Sequence, residues 1–93
     1  DYLEDEIACS VYPNPFHSQT KISLDLPAAS ATKCVIYDVT GKMVDVIIDG
    51  FLQAGRHEFE WNINDHLNHN TTGIYYCHIK VDGKVFIKKL ICF

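Results

Sequence analysis

The sequence predicts an all-β fold, an immunoglobulin-like antiparallel β-sandwich of about seven short strands. Three observations predict it. Runs rich in β-branched and aromatic residues recur roughly every eight to twelve residues. Turn-forming residues separate them, notably Gly41, Gly55, Gly73 and Asp82-Gly83. No stretch carries a convincing helical period, so helix content should be near zero. A chain of 93 residues with this punctuation is long enough for one domain with one modest core.

Taken in order, the opening "DYLEDE" holds four acids in six residues and reads as linker. Residues 1–10 are assigned to that linker and residues 11–93 to the sandwich. "YPNPF" follows, as Tyr12, Pro13, Asn14, Pro15 and Phe16. Two prolines without N–H donors exclude it from mid-sheet and place it along an edge, with Phe16 capping one end of the core. In "KISLDLP", Ile22, Leu24 and Leu26 share a face, and Pro27 stops the strand. "AASA" is a small-residue connection into "KCVIYDV". Asp38 and Gly41 then shape a hairpin turn, Asp38 by accepting backbone N–H bonds and Gly41 by supplying a positive φ.

The strand "KMVDVII" is read as closing at Asp49-Gly50. After the turn at Gly55, Phe59 and Trp61 lie on one face of "HEFEWN" and Glu58 and Glu60 on the other. "NINDHLNHNTT" is a polar loop. Gly73 restarts order with "GIYYCHIKV", which contains Tyr75, and Asp82-Gly83 makes a tight hairpin into "KVFIKKLICF".

That last strand is irregular. Phe86, Leu90 and Cys92 lie on one face and Val85, Ile87 and Ile91 on the other, interrupted mainly by Lys88 and Lys89. A strand with water on one side should alternate apolar with polar residues. Apolar surface near Val35, Tyr37, Ile74 and Ile87 is therefore expected to stay uncovered as a contact site for another protein, with pairing along the strand's edge as one mode of contact. A tight hairpin puts Lys88 beside Cys77; a longer loop puts Lys89 there.

Composition excludes several function classes. A net charge of −4 argues against nucleic-acid binding. No apolar run approaches the ~18 residues of a membrane-spanning helix. Cys9, Cys34, Cys77 and Cys92 form no C-x-x-C pair, which disfavours a zinc ribbon, and are read as buried thiols or as two disulfides. His66 and His69 near Asp65, with Asn62, Asn64 and Asn68, read as a solvated loop rather than a metal site, and Asn70-Thr71-Thr72 as loop rather than a used glycosylation sequon. No nucleophile elbow, zincin helix, P-loop or dinucleotide fingerprint is present, and Cys77 and His78 point to opposite faces. No catalytic residue and no cofactor are expected.

The blocks "YPNPF" at 12–16, "ISLDLP" at 22–27, "YDVTGK" at 37–42, "AGRH" at 54–57, Trp61, "GIY" at 73–75 and "KKLI" at 88–91 occur in order. Together they resemble the C-terminal sorting domain of proteins exported by the type IX secretion system of Bacteroidetes. The resemblance implies a non-catalytic signal at the end of a secreted protein, recognised by an outer-membrane translocon and then removed by a sortase-like surface peptidase. The passenger would pass through the periplasm to the cell surface or the medium. The matching motif residues are Tyr12, Pro13, Asn14, Pro15, Phe16, Asp38, Gly41, Gly55, Gly73, Tyr75, Lys88, Lys89, Leu90 and Ile91. The ending "ICF", where the family often ends in a basic residue, and the four cysteines depart from its pattern. The second reading is a retained immunoglobulin-like accessory module of a multidomain secreted enzyme, with carbohydrate as its ligand class. It would need exposed aromatics, for which Tyr37 and Tyr76 are the candidates.

Overall fold

The computed structural model describes residues 6–63 and 73–93. Within them the strands are β1 (Ala8–Tyr12), β2 (Gln19–Leu26), β3 (Ser30–Asp38), β4 (Met43–Leu52), β5 (Gly55–Asn62), β6 (Gly73–Val81) and β7 (Lys84–Cys92). They form two antiparallel sheets, ordered β1-β2-β5 and β4-β3-β6-β7. No α-helix occurs among the described residues. The expected all-β sandwich is the observed architecture.

Period-two patterning builds the core. Ile22, Leu24 and Leu26 of β2 and Trp61 of β5 point inward from one sheet, and Ile36, Ile79 and Leu90 meet them from the other, all buried. Each such side chain contributes about 1.5–3 kcal/mol by leaving water. Phe59 packs at the margin of the same cluster, while Glu58 and Glu60 face solvent as their alternation requires.

Three local readings shift. β1 begins at Ala8, so it starts within the stretch read as linker. β3 begins at Ser30 and takes half of "AASA" into the sheet. Asp49-Gly50 is not a turn, because β4 continues to Leu52, with Asp49 opposite Lys33 and Gly50 opposite Thr32. A glycine is compatible with extended backbone too, and here the ladder to β3 holds it there.

The β3–β4 hairpin is organised by one carboxylate. Asp38 Oδ1 accepts bonds from Thr40 N (2.9 Å), Thr40 Oγ1 (2.6 Å) and Lys42 N (3.0 Å). Gly41 sits at φ +89° and donates its N–H to the Asp38 carbonyl at 3.0 Å, a conformation that an L side chain would strain. The Thr40 hydroxyl bond, followed by the Lys42 and Thr40 amides, holds the Asp38 carboxyl below its usual value. With the folded pKa below the unfolded one, the stabilisation is complete above the unfolded value and is lost as pH falls through the folded value. Melting temperature should therefore decline on acidification below about pH 4. Asp38→Asn should melt lower at neutral pH and lose part of that decline; superimposable pH profiles would contradict this.

Asp82 (φ +48°) and Gly83 (φ +88°) form the two-residue β6–β7 turn, whose paired positive φ values match the twist of an antiparallel hairpin. This tight turn fixes the register, with Val81 opposite Lys84 and Cys77 opposite Lys88. Lys88 therefore points toward the inner side at the sheet margin, and Lys89 points outward.

Candidate functional site

β7 ends its sheet, so one edge of its backbone has no neighbouring strand. "YPNPF" occupies the C-terminal part of that edge. The Asn14 carboxamide substitutes for a strand: Nδ2 donates to the Lys89 carbonyl at 2.7 Å, and Oδ1 accepts from the Ile91 amide at 3.0 Å. Phe16 continues the pairing as a parallel bridge to Cys92, with its amide on the Ile91 carbonyl (2.9 Å) and its carbonyl accepting from Phe93 N (3.0 Å). His17 Nδ1–H donates to the Phe93 main-chain oxygen at 2.8 Å, and the two rings lie 4.4 Å apart. Thr20 Oγ1 anchors the segment from below by donating to the Pro13 carbonyl at 2.7 Å.

Phe16 is the hydrophobic half of this clasp. It is buried and meets Trp61 edge-on at 6.1 Å, and Trp61 meets Tyr75 in the same manner at 5.7 Å. Burial, with lesser contributions from Cys92 and Asp38, raises the Tyr75 hydroxyl above its ordinary pKa. Prolines are tolerated at 13 and 15 because a side-chain amide, not the proline backbone, meets the strand.

The clasp changes what the free edge offers. Edge pairing by a partner was expected along the last strand, yet the outward backbone groups from Lys89 to Phe93 are already taken. Among the described residues none of these bonds reaches Val85 or Ile87.

The two outer faces differ sharply. Residues directly opposite across strands share a face. On the four-stranded sheet this gives the rows Met43-Tyr37-Tyr76-Lys89, Val46-Val35-His78-Ile87 and Asp49-Lys33-Lys80-Val85, with Ile74 beside Ile91 at one end. Val85 (57%), Ile87 (56%), Met43 (56%) and Val46 (43%) are exposed, as are Ile74 and Ile91 to a lesser degree. Val35, expected to lie uncovered, is buried, since on a central strand it has Val46 and His78 as flanking neighbours. Tyr37 and Tyr76 are half-buried, and Tyr37 stands edge-on to His78 at 4.6 Å.

The opposite outer face is polar. A broad concavity of about 720 Å³ there is lined by side chains including Tyr12, Lys21, Arg56, Glu58 and Glu60. Glu58 is paired there, reached by Arg56 at 3.1 Å and Lys21 at 3.5 Å, while Glu60 stands across from Lys21 on β2. The Arg56 bond first and the Lys21 charge second lower the Glu58 pKa.

All four cysteines are free thiols. Cys34 and Cys77 touch at 3.2 Å between sulfurs inside the core, and Cys92 donates to the His17 carbonyl. The Cys34 contact and then burial push the Cys77 pKa far above the thiol range, while burial raises that of Cys9 against the pull of Lys88. A thiol reagent should modify Cys9 slowly and leave Cys34 and Cys77 untouched until the chain unfolds, when four thiols should be counted. A count of two in denaturant would show a bridge instead.

Among the described residues no three His, Cys, Asp or Glu side chains are grouped to hold a metal ion. Asn62 ends β5; His66, His69, Asp65, Asn64, Asn68 and the Asn70 sequon lie outside the described residues.

The clasp, the aromatic stack behind it and the turns at Asp38 and Gly41 are built by the blocks on which the resemblance rests. The chain matches the secretion system C-terminal sorting domain over residues 10–92. It belongs to that family, the sorting domains of the type IX secretion system. No curated protein matches it.

Membership implies that the sorting domain accompanies a passenger protein and directs it to the cell surface or beyond. Domains of this family are in general signals, not catalysts, and membership speaks for sorting over a retained accessory module. Of the motif residues, Asn14, Phe16, Ile91 and the Lys89 carbonyl come together at one end of β7, with Leu90 and Tyr75 in the core behind them; Pro13 is tied to Thr20, and Tyr12 ends β1 opposite Lys21 and lines the concavity on the other outer face. Asp38 and Gly41 form a separate turn, and Gly55 and Gly73 start β5 and β6 with positive φ. Lys88 stands apart, turned toward Cys77 and Cys9. The sequence reading missed His17 and Thr20, whose partners lie 76 and 7 residues away.

Proposed function

We propose that the sorting domain is a non-catalytic export signal whose outer face on β4-β3-β6-β7 is read by the outer-membrane translocon. The observation that carries this is the exposed apolar side chains Val85, Ile87 and Ile91 along β7 with Met43 and Val46 on β4, set against an opposite face that is lined mainly by polar and charged side chains. A soluble domain rarely leaves such a surface in water unless something binds it. The passenger crosses the periplasm, and a sortase-like surface peptidase then removes the signal by cutting upstream of Tyr12 in the acidic stretch.

Ile87→Asp in a tagged passenger should hold the passenger inside the cell, and unchanged export would refute the reading. Deleting residues 88–93 is the poorer test, because it removes the buried Leu90 and Cys92 along with the clasp partners. Mass spectrometry of the exported passenger should find its end before Tyr12. A mature form that still carries residues 12–93 would refute the cleavage.

A further inference from the structure

Lys33 and Lys80 stand directly opposite one another on β3 and β6, both exposed on the outer face. Like charges in this relation repel. Asp49 neighbours Lys33 from β4, yet no ion pair closes at either lysine among the described residues. Lys89 adds a third positive charge to a face whose carboxylates among the described residues are Asp49 and, at the β6–β7 turn beside both lysines, Asp82, which already accepts from the Ala31 amide. Between the two lysines lies a shallow groove of about 210 Å³, completed by Val35, Tyr37, His78 and Val85. One cationic end beside the rings of Tyr37 and His78 and the exposed Val85 calls for a ligand that is anionic and apolar in alternation.

We propose that this groove receives an extended acidic–apolar segment of a partner polypeptide. It lies along β3 and β6 with an apolar side chain resting on the half-buried His78 ring and its edge-on partner Tyr37, and a carboxylate against Lys33 and Lys80. The spacing fits. One step from the Val35–His78 row to the Lys33–Lys80 row is two residues, and alternate side chains of an extended segment are about 6.5–7 Å apart, the same repeat. The carboxylate relieves the lysine repulsion, and the apolar contact covers surface that water now meets. The inference rests on the reading of this face as the one recognised in export, and it adds the chemistry of the partner.

Two experiments separate the inference from that reading. The isotope-labelled chain is titrated with a blocked synthetic peptide alternating Glu, Leu and Tyr with intervening Ser, and with a control carrying Lys for Glu. Amide shifts should concentrate at residues 33, 35, 78 and 80. The control should leave them in place, and Lys33→Glu/Lys80→Glu should weaken binding about tenfold or more. Equal binding of the control, shifts on the other sheet, no shifts at all, or self-association through the same residues would each overturn the proposal. In the export assay, the double lysine variant should be retained like Ile87→Asp. Normal export of the lysine variant with Ile87→Asp still blocked overturns the acidic partner and leaves the face intact; normal export of both overturns both.

Discussion

Phe16→Ala should destabilise the domain by about 3–5 kcal/mol, the usual cost of emptying a buried phenylalanine site. A domain of this size holds about 5–14 kcal/mol in total, so one truncation removes a large share. The cost is at the high end for two reasons. The ring is buried against Trp61, which in turn packs on Tyr75, so the cavity opens inside an aromatic stack braced from both sheets. The same residue carries the backbone bridge to Ile91 and Phe93, which loosens when its side chain no longer anchors it. Urea unfolding with an unchanged slope should show the loss; a change below about 1 kcal/mol would mean that the clasp does not brace the core.

Asn14→Ala separates the two halves of the clasp. It removes two hydrogen bonds to β7 and leaves the core filled, so the expected cost is only about 1–3 kcal/mol. Amide exchange should accelerate selectively at Ile91, whose N–H loses its acceptor, while Ile79 in the middle of β6 keeps its protection. Uniform acceleration across both amides would argue for a global effect and against a local latch.

Much of this fold lies open in local patterns. Ile22, Leu24 and Leu26 announce an inner face by alternation, and Asp82-Gly83 announces a two-residue turn, which then decides between Lys88 and Lys89 as the neighbour of Cys77. What stayed hidden depends on distant partners. "YPNPF" declares that it is not mid-sheet, but nothing local says that the Asn14 amide reads a strand edge more than seventy residues away. Asp49-Gly50 misleads for the converse reason, because a dipeptide suited to turning is held straight by Lys33 and Thr32 on β3. Val35 looks bare in the sequence and is covered only because its strand is central. The outer-face rows needed the register of four strands, which no single strand's pattern contains.

Ile87→Asp should reduce export about tenfold or more while leaving the domain folded, and the two readouts together decide the function. Ile87 projects from an edge strand and is more than half exposed, so an acid there buries little charge and should cost at most about 1 kcal/mol. Charges on exposed edge strands are in any case common in stable sheets. At a docking surface the same carboxylate would lie at the end of the Val46-Val35-His78-Ile87 row, where binding would strip its water without supplying a cation inside that row. Losing about 1.4 kcal/mol at such a contact is already tenfold in affinity. Glu60→Lys on the opposite face serves as the comparison, since it alters charge on the sheet assigned no role. A folded Ile87→Asp variant retained in the cell, beside a Glu60→Lys variant exported normally, places recognition on the four-stranded sheet. Equal export of both would show that the translocon reads some other part of the domain.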